Sequence, residues 1–173
     1  DLLTNRTEGV LMIKDAVTSA ESLSVVVSPT QTSEFHFSSA HKDGPAKAQI
    51  NVRAADFEWS RPIQIDHADD FYLFLRKQEG GSGNTIRVTV TIDGDATYVA
   101  FHLLDHSYAQ LRVENDCKPS TVVRFRQYGL GLPALEVASG VSMLYSWEDP
   151  QLAHRLEILV QDTGVDVSWD MDM

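Results

Sequence analysis

Apolar and polar residues alternate with a period of two along most of the chain. Residues 86–92 (IRVTVTI) show the pattern without a fault, with aliphatic side chains on one face and Arg and Thr on the other. This alternation is typical of a half-buried β-strand. Residues 48–53 repeat it more weakly. Other short runs rich in β-branched and aromatic residues have strand length: 23–27, 71–75, 98–103, 122–128 and 156–160.

Turn signals separate these runs. Asp93-Gly94-Asp95 stands between two of them and predicts a hairpin, and residues 42–45 and 118–120 also read as turns. Only 13–23 and 150–155 could hold a helix, and both are short. About ten strands with regular turns predict an all-β fold with little helix, built as two antiparallel β-sandwich modules packed in tandem.

The two halves of the chain share a faint repeat. Asn5 and Asn115 each follow an apolar strand residue, and paired apolar residues come seven and eight positions later, at 12–13 and 122–123. We interpret the halves as related by the order of their elements rather than by a fixed period.

A Trp-x-x-Pro run also occurs in each half, at 59–62 and at 147–150. The predicted modules are therefore 1–107 and 108–173, and the shorter second module must be truncated or must borrow strands from the first. Residues 80–84 (GGSGN) are a side-chain-poor loop, either a natural loop tip or an engineered linker that replaced a longer loop.

Composition narrows the class of protein. The chain is 43% hydrophobic and 23% charged, so it can bury a core, and no run of eighteen apolar residues predicts a membrane span. Its net charge of −11 argues against nucleic acid or anionic lipid surfaces as partners. The single cysteine, Cys117, allows no intrachain disulfide and indicates a reducing, cytoplasmic compartment. Without an initial Met or a signal peptide, the chain is expected to be part of a longer one.

No catalytic set emerges from the motifs. His102 and His106 have the spacing of a metal pair only on a helix, and their context predicts a strand end. Nothing near Cys117 would lower the pKa of its thiol. The acidic run 66–70 matches no calcium loop and is expected to be a solvated turn. We therefore expect no enzyme activity, no cofactor and no metal.

Four residues are better candidates for a binding role. Asn5 and Asn115 precede polar turns, where an amide can bond backbone groups and so order a loop beside a ligand groove. Trp59 and Trp147 are large hydrophobic residues that either belong to the core or line a peptide groove.

The second half carries a denser signature. Asn115 is followed by a strand that ends at Gln127 and then by Tyr145-Ser146-Trp147-Glu148-Asp149-Pro150. This order resembles the repeat signature of the adaptor-binding (VAB) region of the vacuolar-protein-sorting bridge-like lipid-transfer proteins, the chorein family. In the first half Asn5 and 59–63 match, although Phe57 stands where the signature has Tyr, and Glu148-Asp149 is in the reverse of the expected order.

The resemblance implies a tandem of β-sandwich modules without catalytic activity. Such a region docks short Pro-x-Pro motifs of organelle adaptor proteins and so places a lipid-transfer protein at membrane contact sites, without inserting into the membrane itself. The hallmark asparagine of the repeat maps onto Asn115 and Asn5, and Tyr145, Trp147 and Trp59 become candidate groove or core aromatics. The chain has no Pro-x-Pro of its own, so it would be the receptor.

Exposed sheet edges offer a physical route to such docking. An extended peptide can add to an edge as an extra strand, and alternate prolines can insert their rings into apolar pockets. Residues 122–128 and 135–137 are the candidate edges. Two alternatives stay open: a carbohydrate- or lipid-binding β-sandwich whose Trp side chains face solvent, and a structural spacer whose neighbouring modules bind the adaptor.

Overall fold

The computed structural model describes residues 1–17, 23–37, 48–78, 83–103 and 109–160. These residues form no α-helix and are mostly strand, which confirms the all-β fold class. The strands are β1 (Leu2–Arg6), β2 (Leu11–Asp15), β3 (Val25–Val27), β4 (Thr32–Glu34), β5 (Gln49–Ala54), β6 (Ile63–Gln64), β7 (Asp69–Leu75), β8 (Asn84–Asp93), β9 (Ala96–Leu103), β10 (Leu111–Glu114), β11 (Val122–Gln127), β12 (Leu135–Ala138), β13 (Ser142–Tyr145) and β14 (Leu156–Val160).

Neither candidate helix is present in the described residues. Residues 13–15 lie in β2, and 18–22 fall outside the described residues. Residues 150–155 form a turn and an irregular segment that leads into β14. Both runs are too short to hold a helix without tertiary support. In the first run, residues 13–15 instead belong to β2, which pairs with β3 and β5.

The first half of the chain folds into two facing sheets. One has five strands in the order β4-β1-β9-β8-β7, and the other has four in the order β3-β2-β5-β6. The period-two pattern explains why the sheets pack, because β8 turns Ile86, Val88 and Val90 inward and its Arg and Thr side chains outward. Both sheets contribute to one buried apolar cluster that includes Leu3, Ile13, Ile50, Val52, Leu73, Val99 and Phe101.

The predicted hairpin joins β8 to β9. Asp93 pairs with Ala96, so Gly94 and Asp95 make a two-residue loop, and Gly94 has a φ of 59° that suits a tight hairpin turn. The pairing of β1 with β9 is parallel, whereas the other registered pairs of the described strands are antiparallel. This parallel pair connects the first and last strands of the sandwich.

The second half forms a two-stranded sheet, β10-β13, and a three-stranded sheet, β12-β11-β14. A second buried cluster lies between them, and it includes Phe74 of β7 from the first half. The remaining buried members are Phe125, Leu135, Val137, Tyr145, Trp147 and Leu156. The proposed boundary at 107/108 falls in residues 104–108, which lie outside the described part of the chain.

Strand pairing reveals how the halves correspond. In the first half β1 pairs with β4, and β2 lies between β3 and β5; in the second, β10 pairs with β13, and β11 lies between β12 and β14. Counted through these elements, Tyr145 and Trp147, at and just after the end of β13, occupy the positions of Phe35 and Phe37, just after β4.

The correspondence of the two Trp-x-x-Pro runs is therefore wrong. Trp147 follows the fourth strand of its half, whereas Trp59 follows the fifth strand of its own. Tryptophan and proline are frequent near strand ends in any β-protein, so their recurrence carries less information than the ladder register does.

Candidate functional site

Asn5 uses its side chain to tie together the end of β1, the next turn and β3. Its Nδ2 donates to Gly9 O and to Val27 O, each at 2.8 Å, and its Oδ1 accepts from the Thr7 N–H at 2.9 Å. The residue is fully buried, so these bonds replace the water that its amide would otherwise bind.

Asn115 repeats this arrangement in the second half. Its Nδ2 donates to Thr121 O at 3.0 Å and to Val137 O at 2.8 Å, and its Oδ1 accepts from the Cys117 N–H at 3.1 Å. The bonds to Val27 and Val137 span the same 22 residues along the chain. Each asparagine therefore holds the turn that follows it against the third strand of its own half.

A backbone hydrogen bond to the carbonyl of each asparagine adds to these contacts. We call Asn5 and Asn115, each with its hydrogen-bonded partners, the two asparagine knots. Thr30 N–H donates to Asn5 O, and Gly140 N–H donates to Asn115 O, both at 2.7 Å. Thr30 has a φ of 63° and Gly140 a φ of 74°. Glycine adopts this left-handed conformation without the steric cost that threonine incurs, so the second knot has the less strained bend.

Tyr145 and Trp147, the candidate groove aromatics, lie in the core of the second half, with exposures of 0% and 2%. The two rings meet edge to face at 6.1 Å, and Trp147 stacks on His154 at 4.7 Å. Burial, together with the neighbouring charge of Glu148, raises the pKa of the Tyr145 hydroxyl well above its ordinary value. Tyr145 and Trp147 are therefore core residues and do not line a groove on the surface.

Gln127 fixes the segment that follows Trp147. Its Oε1 accepts from the N–H groups of Glu148 and Asp149, each at 3.0 Å, and its Nε2 donates to Asp149 O at 2.8 Å. Gln127 is fully buried, so its side-chain amide holds the backbone of Glu148 and Asp149 from inside the protein. The glutamine and the Tyr-to-Pro run of the signature are thus one structural unit.

That unit meets the first half at a buried salt bridge. Arg76, just after β7, donates from Nε to Glu148 Oε2 at 2.5 Å and from Nη2 to Oε1 at 2.8 Å. The two side chains are 10% and 5% exposed. Tyr145 donates its hydroxyl to the same carboxylate at 3.2 Å.

Backbone and side-chain bonds support this junction. Phe74 N–H donates to Trp147 O at 3.1 Å, and Arg61 Nη2 donates to Leu130 O at 2.9 Å. The sequence analysis missed Arg76. Its one signal in the sequence is a cation directly after a strand whose last residues are all apolar.

A cavity of about 500 Å³ opens beside the salt bridge. Glu58, Arg76 and Lys77 line it from the first half, and 133–136, at the start of β12, line it from the second. A neighbouring cavity of about 200 Å³ shares Glu58 and Arg76 and adds Trp59 and Pro62 to its lining. The two form a groove along the junction, which we call the junction groove.

Of the two candidate edge strands, only β12 is available. Each of β11's residues 123–125 faces β12 on one side and β14 on the other, so the prediction of 122–128 as a free edge is wrong. Among the described strands, β12 pairs with β11 alone and presents its outer edge next to the junction groove. The run 122–128 is central because both of its neighbours arrive from later in the chain.

Trp59 lies at the groove, half-buried. Lys14 Nζ lies 4.5 Å and the Arg53 guanidinium carbon 4.8 Å from the centre of its ring. Two cations thus contact the indole, which makes it a poor platform for a neutral sugar.

The other candidates do not assemble into a site. His67 lies 2.8 Å from Asp66 Oδ1 in an exposed turn, and Cys117 is exposed. His102 lies in β9, whereas His106 is outside the described residues. Residues 79–82 of the glycine-rich loop and the predicted turn at 42–45 also lie outside the described part of the chain.

Comparisons with known proteins add no relative: neither the scan against protein-family models nor the search of curated proteins finds a match to this chain. Within the described ranges, no helix has the length and apolarity needed to cross a membrane.

Proposed function

We propose that this chain is a non-catalytic docking module that binds an extended, proline-containing peptide along the outer edge of β12. The observation that carries the proposal is the coincidence, at the junction groove, of a strand edge that no described strand pairs with and a cavity whose lining includes Pro133, Ala134 and Leu135. Main-chain bonds to the edge supply affinity, and the cavity supplies selectivity for the side chains that enter it.

Proline suits this geometry. A peptide strand at an edge needs hydrogen bonds only on the side that faces the sheet, so alternate prolines can place their missing N–H on the outer side. Their rings then fill the space beside Pro133 and Ala134.

Asn115 connects the hallmark of the repeat to this edge. Its side chain holds Val137 O, within β12, and Thr121 O, just before β11. Loss of the amide would loosen the strand that receives the peptide. The asparagine acts in this proposal as a positioning residue and does not itself contact the ligand.

The resemblance to the VAB region supplies the biological setting of the proposal. The peptide would come from organelle adaptor proteins, and docking would place a bridge-like lipid-transfer protein at membrane contact sites from the cytoplasmic side. The carbohydrate-binding alternative loses its platform at Trp147, which is 2% exposed. The spacer alternative predicts no peptide binding at all.

Calorimetry tests the proposal. A Pro-x-Pro peptide is expected to bind with a Kd on the order of micromolar, because a short disordered ligand is ordered on binding. The same peptide with both prolines replaced by alanine should not bind. Equal binding of the two peptides, or binding of neither to folded protein, contradicts the docking proposal and favours the spacer.

Two arginine substitutions, one just before β12 and one at its end, locate the site. Ala134→Arg places a long side chain in the cavity and should abolish binding, whereas Ala138→Arg adds the same side chain at an exposed position at the end of β12, away from the cavity. If both variants bind the peptide as the wild type does, the peptide lies elsewhere. A glycan panel and lipid vesicles, titrated in parallel, test the remaining alternative.

A further inference from the structure

The outer face of the five-stranded sheet carries a row of basic side chains. In the strand register, Arg6 of β1 lies opposite His102 of β9, which lies opposite Arg87 of β8. Arg6 and Arg87 flank the His102 imidazole from the two neighbouring strands, and their charges disfavour its protonation, so strand pairing alone does not favour this row. Its position is notable in a chain whose net charge is −11.

A hollow of about 360 Å³ lies on the same face, and the basic row forms part of its lining. Its centre is Ala100 of β9, which pairs with Thr4 on one side and Thr89 on the other. These three small side chains lie between the larger Tyr98 and His102, so the face is concave there. The lining therefore combines two arginines, an imidazole, an aromatic ring and hydroxyl groups.

The charge of the row is only partly balanced. Asp70 of β7 forms two hydrogen bonds with Arg87. No acidic side chain of the described residues forms an ion pair with Arg6, which is exposed. The hollow thus has at one end a cation that no acidic side chain of the described residues pairs with, and neutral hydrogen-bonding groups along its floor.

We propose that this hollow, which we call the outer-face site, binds a phosphate monoester carried on a hydroxylated ring, such as an inositol phosphate or a sugar phosphate. Arg6 and His102 hold the phosphate oxygens, and Arg87 adds charge at the edge. The ring lies over Ala100, where the threonine hydroxyls reach its hydroxyl groups.

Dimensions favour a ring over bare phosphate. Residues two apart on one face of a strand lie about 7 Å apart, so His102 and Ala100 fit a phosphate and the ring next to it. Tyr98, at 40% exposure, continues the face beyond Ala100 and offers its ring to the C–H groups of a sugar or inositol. The site is separate from the junction groove and does not depend on peptide docking.

His102 offers a direct readout. Burial, with the charges of Arg6 and Arg87, lowers the pKa of its imidazole, and Asp70 opposes this in part. A bound phosphate adds negative charge beside the ring and should raise that pKa.

The test is an NMR titration of the whole chain with myo-inositol 1-phosphate, with myo-inositol and inorganic phosphate as separate controls. We expect saturable shifts in the amides of 4–6 and 98–102, together with an increased pKa of His102, for the phosphorylated ring. Arg6→Gln should weaken binding about tenfold, the scale expected for one charge-assisted bond. Arg124→Gln, an exposed arginine of the second half paired with Glu136, should leave binding unchanged.

The outcomes separate clearly. Non-saturating shifts, equal affinity for inorganic phosphate, or unchanged affinity in Arg6→Gln each overturn the proposal. Arg6 is exposed, so its variant should stay folded, which the dispersion of its NMR spectrum verifies. Vesicles of phosphatidylcholine with and without phosphatidylinositol phosphate identify the source: sedimentation only with the latter supports a lipid headgroup, and soluble binding without sedimentation supports a free metabolite.

Discussion

Arg76 and Glu148 join the two halves of the chain through a two-point salt bridge that is almost closed to solvent. The carboxylate also accepts from the Tyr145 hydroxyl, and its own backbone N–H is held by Gln127. The ion pair therefore links the end of β7 to the segment 148–149 that Gln127 holds in the second half. Its neighbours, Phe74 and Trp147, pack in the same buried cluster.

Removal of one partner should destabilise the junction strongly. Arg76→Leu leaves a buried carboxylate without its cation and should lower the free energy of unfolding by about 3–5 kcal/mol in urea titrations. Arg124→Leu breaks an exposed pair with Glu136 and should change stability little. Equal effects of the two substitutions would show that the Arg76 bridge adds nothing beyond a surface pair.

The two asparagine knots should contribute similarly to stability. Asn5→Ala and Asn115→Ala each leave buried backbone carbonyls without their donor and should cost about 1–3 kcal/mol, measured by thermal or urea unfolding. Thr4→Ala is a suitable control, since it removes only a partly exposed hydroxyl from β1. An unchanged melting curve in Asn115→Ala would mean that the knot is incidental.

Peptide binding should depend on Asn115 beyond its effect on stability. At a temperature where Asn115→Ala remains folded, we expect weaker binding of the Pro-x-Pro peptide, because β12 loses the bond that holds Val137 O. Asn5→Ala, in the other half, should bind the peptide normally. Salt should weaken binding only mildly, since strand pairing and apolar contacts carry most of the energy. Loss of binding in both variants would point to a general loss of folded protein.

Tyr145 should couple stability to alkaline pH. Its pKa is raised above the ordinary value of 10.0, so the neutral phenol belongs to the folded state. The stability linked to this group is fully present below the unfolded pKa and is lost as the pH rises towards the folded value. Phenolate absorbance, compared with that of Tyr145→Phe, should show that Tyr145 ionises only when the protein unfolds.

Tyr145→Phe provides the matched variant. The corresponding position in the first half is Phe35, so the ring alone is compatible with this core. The variant should fold and should unfold at a higher pH than the wild type. If its alkaline unfolding midpoint is unchanged, another group controls that transition.

The local structure follows closely from the sequence. Alternation in 86–92 predicts a strand and its buried face, and β8 has both, although Ile92, next to the hairpin, is 39% exposed. The asparagine positions could also be found, because an amide next to a polar turn has few roles other than bonding the backbone.

Long-range relationships could not be predicted in the same way. Period-two patterning does not show which strands are neighbours. The sequence pattern therefore does not indicate that 122–128 is a central strand or that β12 lies at an edge of the described sheet. The insertion of Phe74 into the core of the second half depends on contacts between distant parts of the chain. The outer-face row of Arg6, His102 and Arg87 likewise exists only through register.

The parallel pairing of β1 with β9 has a mechanical consequence. These strands begin and end the first sandwich, and five residue pairs hold them side by side. Tension applied between Leu2 and Leu103 pulls the two strands in opposite directions along their length, so the bonds of the ladder are loaded together in shear and do not open one after another. The first sandwich should therefore resist stretching along the chain far better than an antiparallel pair pulled apart from one end, and single-molecule force spectroscopy would report this as a high rupture force with little prior extension.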